Sequence, residues 1–347
     1  MTSYVDWDFA KSTGRALVPA GPSVTPEEAA AEVGAIHAAA AAARTPVAET
    51  SRLHTPDGAP APVVVDRATW ISTNADSMSA MLDPAFETMV SRRGNAPTGT
   101  IAALGGKLTG AEAGALFAFM ASKVLGQFDL APQGTPALLL VAPNMMAVTR
   151  ELDVDAADFR SWVCMHEETH RVQFTAVPWL RDHVVASART LVVDLAPDPA
   201  QLPQLARRLA DRLPEVFGSG GNGIVDLVTT PEQREQLASL TAVMSLLEGH
   251  ADVVMDEVGP AVIPTVAEIR AKFTERRKGA GAVDQVLRRL LGLEAKMRQY
   301  HDGAVFVRAV TDKVGVDGFN VVWTSPETLP HAREITEPEE WVRRVHG

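Results

Sequence analysis

The stretch "DFRSWVCMHEETHRVQFTAVP", residues 158–178, decides how the whole chain is read. Asp155 and Asp158 suit the cap and first turn of a helix, and Pro178 cannot continue one. The spacing therefore predicts a helix over 156–176. Phe159, Val163, His166, His170 and Phe174 then fall on one stripe, with both histidines in the middle of the inward face. At i and i+4 two imidazoles can reach the same ion. Glu167 is turned by about 100° from His166, where its carboxylate can flank a water held by that ion. A chance His-Glu-x-x-His in a chain of this size has odds on the order of 1 in 100. Two metal-free core histidines would also each need a hydrogen-bond partner.

A catalytic zinc takes three protein ligands and keeps one position open. A third histidine six residues after His170 is excluded, because Gln173 and Ala176 stand at the relevant places. A glutamate from a second helix is the other solution, and "SLLEGHADVVMDEVGP" at 245–260 offers one. Its helix, 231–258, starts after Thr230 and stops at Gly259-Pro260. Leu237, Leu240, Met244, Leu247, Ala251 and Met255 form its inward stripe, with Glu248 at the edge. A carboxylate there is costly unless a cation faces it. His166, His170 and Glu248 are thus the candidate zinc ligands. Asp252, one turn on, is placed to accept the second N–H of a ligating histidine. His250 faces away from Glu248, and His183 is held in reserve as a third ligand. Cys164 points about 200° from His166 and reads as a small core residue.

Composition bounds the rest. The 347 residues are 46% hydrophobic, 22% charged and only 5% aromatic, which suits a globular chain rich in helix. A net charge of -11 argues against nucleic-acid and anionic-membrane partners. One cysteine excludes an intrachain disulfide, and no signal sequence or long apolar span is evident, so a cytoplasmic protein is expected. "TPEE" at 25–28, "TGAE" at 109–112, "TPEQ" at 230–233 and "TEPE" at 336–339 read as capping boxes. Helices are expected near 26–44, 110–126, 156–176, 231–258 and 282–313. Strand candidates are 61–66, 137–143 and 319–323; "ALLLVAPN" could be an edge strand beside the metal helix or a core strand. The "GSGGNG" run at 218–223 reads as a loop. The fold expected is mainly α with a few short strands (α+β), as a single unit over 1–347 built around two metal helices.

"FRSWVCMHEETHRVQFTAVPWL", "EGHADVVMD" and "KMRQYHDGAVFV" together resemble the zincin-like, gluzincin-type metallopeptidases of actinobacteria and their relatives. The resemblance runs from the first helix to "PEEWVRRV". That family is often labelled as associated with biosynthesis of a deazaflavin coenzyme, although no flavin or nucleotide fingerprint stands in these residues. It implies His166, His170 and Glu248 as ligands of Zn2+ and Glu167 as catalytic base. The function expected is a zinc-dependent peptidase or amidase acting on a peptide or small amide. Tyr300 is the candidate oxyanion donor, against a plain core-edge tyrosine. The rival is a non-catalytic zinc-containing protein with a structural or regulatory binding role.

Overall fold

The computed structural model describes residues 4–93, 99–195, 229–278 and 293–347; at 92–93, 99–103, 277–278 and 293–301 it describes the backbone alone. Its contacts divide the chain into two compact units, Met1–Val185 with Ala251–Arg277, and Ala186–His250 with Lys278–Gly347. One division falls inside a continuous helix, at His250–Ala251, where no linker composition marks it.

The first unit opens with α1 (Trp7–Leu17), capped by the Asp6 carboxylate on the Phe9 N–H. In α2 (Pro26–Ser51) the capping box expected at Thr25 and Glu28 is complete. This helix passes its expected end at 44 and runs through Pro46. Proline removes one backbone donor, but buried Ile36, Ala40, Ala43, Val47 and Ser51 keep a single inward face across it. Small residues on that face let α2 approach the helix that carries the motif: the Cys164 thiol lies 3.9 Å from the Ile36 carbonyl.

A three-stranded sheet follows, in the order β1 (Val63–Val65), β3 (Ala137–Val141), β2 (Gly126–Asp129). β1 runs parallel to β3 and β2 antiparallel, with Gly126 opposite Leu140 and Asp129 opposite Ala137. β3 is therefore the core strand of the two readings left open for "ALLLVAPN". Leu138 and Leu140 join Ile36, Phe159 and Val163 on one face. Leu139 and Val141 join Trp70, Ile71 and Phe117 on the other. Burial on both faces explains the unbroken apolar run. The strand expected over 137–143 ends at Val141, and Pro143 sits in the first turn of α5 (Ala142–Leu152).

β2 was not among the expected strands, because "GQFD" carries one apolar residue. Its alternation is nonetheless clean. Phe128 stacks on Phe174 at 5.3 Å, whereas Gln127 donates to Asn74 on the opposite side. The turn from β2 to β3 is fixed by Arg181, which donates to the carbonyls of Leu130, Ala131 and Gly134.

α3 (Arg67–Arg93) and α4 (Gly99–Ala121) complete this layer. The box expected at Thr109 is absent: its hydroxyl bonds back to the Gly105 carbonyl inside α4 (3.0 Å), so the helix begins earlier and ends at Ala121. The motif helix is α6 (Ala156–Ala176), matching its expected bounds, and α7 (Leu180–Leu195) follows.

α8 (Pro231–Val262) starts at the expected Thr230–Gln233 box and turns non-helical at Gly259. By length and composition it could cross a membrane, but 56% of its apolar window is buried inside the protein, as in a core helix. α9 (Val266–Lys278) is tied to the start of α6, where Asp158 accepts from the Thr265 N–H and hydroxyl.

In the second unit, α10 (Leu293–Phe319) crosses α8 at backbone contact. A Cβ on Gly249 would lie 2.1 Å from the Gly303 carbonyl carbon. The strand expected at 319–323 is instead a 3-10 turn, Asn320–Trp323, closed by the Trp323 indole on Asn320. β-branched residues here pack inward without a pairing partner strand. The box expected at Thr336 also fails. Thr336 ends α11 (Ala332–Thr336), and Pro338 opens α12 (Pro338–His346). "GSGGNG" and the first part of the helix expected over 282–313 lie outside the described residues.

Candidate metal centre

α6 is capped as its sequence implies, with the Asp155 carboxylate accepting from the Ala157 and Asp158 N–H groups at 2.9 Å. From Trp162 to Gln173 every residue of the helix is buried except His166 and His170. The expectation of an apolar inward stripe is thereby modified. The helix is enclosed nearly all round, and the two histidines mark its one accessible strip. That is the placement a site needs if ligands are to be fixed and a substrate admitted.

The two rings stand nearly perpendicular, at 89°, with centroids 4.8 Å apart. Their Nε2 atoms face each other at 3.2 Å. In a tetrahedral zinc site with bonds of about 2.0–2.1 Å, ligand atoms are spaced by about 3.3 Å. Glu248, brought by α8, completes the set: ligand atoms of His166, His170 and Glu248 all lie within 4.8 Å of one another, each residue half-buried. Two neutral imidazoles and a carboxylate are the donor chemistry of a hydrolytic zinc. These residues fit the ion.

Glu167 is 7% exposed and held against β2. A Cβ on Gly126 would lie 2.5 Å from its Cγ and 2.6 Å from its Cδ. The strand can pass this close only because residue 126 has no side chain. Next to it, Glu168 bonds Arg171 at 2.7 Å. Burial raises the Glu168 pKa even so, against the pull of Arg171. Arg171 in turn donates to the Pro60 carbonyl, which pins the segment before β1 onto the motif helix.

The second nitrogen of His170 is engaged by a residue that sequence reasoning considered only as a missing ligand. Gln173 is fully buried, with its Oε1 3.0 Å from His170 Nδ1. Its signal was available: a polar residue three positions after a ligand shares that ligand's helix face. Asp252 lies one turn beyond Glu248, and its carbonyl accepts from Arg270 at 3.4 Å.

The other histidine candidates pack against aromatic rings. His250 is buried between Phe319 and Trp323, with both ring centroids at 5.4 Å. His183 packs edge-on against Trp179. Burial first, then the charges of Glu167 and Glu168, push the Cys164 thiol up to about 12, which makes it an inert core residue. Tyr300 belongs to α10, three residues before Gly303, and its side chain lies outside the described residues.

Comparisons with known proteins give a family and a similar fold. A family model described as zincin-like metallopeptidase matches residues 5–342. A solved structure from Chloroflexus aurantiacus, assigned as a hydrolase with a novel fold, is similar with a TM-score of 0.69 and 28% identity, covering 98% of each chain. Among curated proteins nothing matches.

Proposed function

From a chain that belongs to the zincin-like metallopeptidases, we propose a zinc-dependent peptidase or amidase in which His166, His170 and Glu248 hold the ion. The observation that carries this reading is Glu167: a buried carboxylate directly after a ligand, fixed against a strand edge. A metal site that only holds structure has no use for a base there. Zinc in this position would polarise a carbonyl and lower the pKa of water. Glu167 would take the proton of the attacking water and deliver it to the leaving nitrogen.

The substrate would lie along β2. Among the described residues this strand pairs only with β3, so its outer edge offers backbone donors and acceptors to an extended peptide. Asp252 is assigned to the second nitrogen of His166, on its place one turn beyond Glu248. Tyr300 is assigned as a donor to the developing oxyanion, on the close crossing of α10 with α8 beside Glu248. The surplus of acidic residues disfavours nucleic-acid and membrane partners. A single buried cysteine suits a cytoplasmic setting.

The test is turnover of a broad library of peptides and small amides by the purified protein. Cleavage should disappear with a chelator and return with added zinc. A library left intact by fully zinc-loaded protein would favour the non-catalytic binding role.

A further inference from the structure

Gln173 occupies a position that neither binds a metal nor touches bulk solvent, yet it faces the ligand set. It is 0% exposed, and its amide oxygen stands 3.0 Å from Nδ1 of His170. An amide oxygen can only accept. Nδ1 must therefore carry the ring proton, and Nε2 keeps its lone pair, directed toward Nε2 of His166 at 3.2 Å. Resting on the zinc reading of His166, His170 and Glu248, we propose that Gln173 is a positioning residue, which fixes the tautomer and rotation of His170 for metal capture.

Three features support the role. Gln173 sits at i+3 on the same helix, so the contact is set by α6 alone and does not depend on a distant element. The adjoining Phe174 is locked by its stack on Phe128, which holds the last turns of α6 in place. Full burial restricts the glutamine to few rotamers, so the ring it orients loses little freedom when a metal arrives. A partner for the non-ligating nitrogen of a metal-bound histidine is worth about 10–100-fold in metal affinity.

The experiment measures zinc(II) affinity by competition with a chromophoric chelator for the parent, Gln173→Met and Gln173→Glu. Methionine keeps the length of the side chain without a good acceptor, whereas glutamate restores an acceptor. The expected result is an affinity about 10–100-fold weaker for Gln173→Met, recovered to near the parent by Gln173→Glu. Nitrogen NMR of the zinc-loaded parent should also show His170 protonated at Nδ1, a readout that requires no variant to fold. Parent-like affinity in Gln173→Met overturns the proposal, as does His170 protonated at Nε2. Equal loss in both variants overturns it too, since a purely structural role would give that. A parent that binds no zinc at all defeats the underlying metal reading instead.

Discussion

A methyl group at residue 126 would occupy space already filled by the Glu167 side chain, 2.5–2.9 Å from its Cγ, Cδ and Oε1. Overpacking of this kind is relieved by moving whichever partner gives more easily. Here that is the carboxylate, because residue 126 is held in the ladder opposite Leu140. Gly126→Ala should therefore displace Glu167 and lower kcat by about 10- to 100-fold. Bound zinc should stay at parent level, since Glu167 is not one of the three ligands. Unchanged kcat in a folded, zinc-loaded variant would show that the strand does not set the base. Neither this contact nor that between Gln173 and His170 could be read as a distance from sequence. The first joins residues from separate elements. The second was within reach, because i+3 neighbours on a helix meet, but it required asking what a buried amide does beside a ligand.

Elements were legible where their signals are local. The boxes at Thr25 and Thr230 formed because threonine, proline and an acid or amide stand together at a true helix start. A threonine with an acid three residues later failed to form a box at Thr109 and Thr336, where the hydroxyl turned back to a carbonyl of its own helix. β3 was found from its apolar run, whereas β2 was not, since its role is set by what it passes rather than by its own composition. The crossing of α8 and α10 is of this second kind. A Cβ on Gly303 would fall 1.9 Å from the Ser245 carbonyl oxygen, so the two backbones touch beside Glu248. Gly249→Ala should force the helices apart and destabilise the protein by about 1–3 kcal/mol or more. The check is the denaturant midpoint: a parent-like value would contradict the crossing.

At the scale of the whole molecule, the family match over 5–342 shows that the motif belongs to a chain-long fold rather than to a chance helix. The three residues that could hold a metal come from the two helices identified from their stripes, α6 and α8. This part of the site was legible because a histidine pair at i, i+4 and a carboxylate at the edge of an apolar face each carry a local physical meaning. The central claim is that this arrangement serves hydrolysis through Glu167. Glutamine matches glutamate in shape but cannot take a proton. The most direct measurement is therefore bound zinc and peptide turnover in Glu167→Gln, with His166→Ala as the control that should lose the ion. The account predicts that Glu167→Gln keeps its zinc and its fold while turnover falls by about two to four orders of magnitude. Turnover at the parent rate in zinc-loaded Glu167→Gln would contradict it.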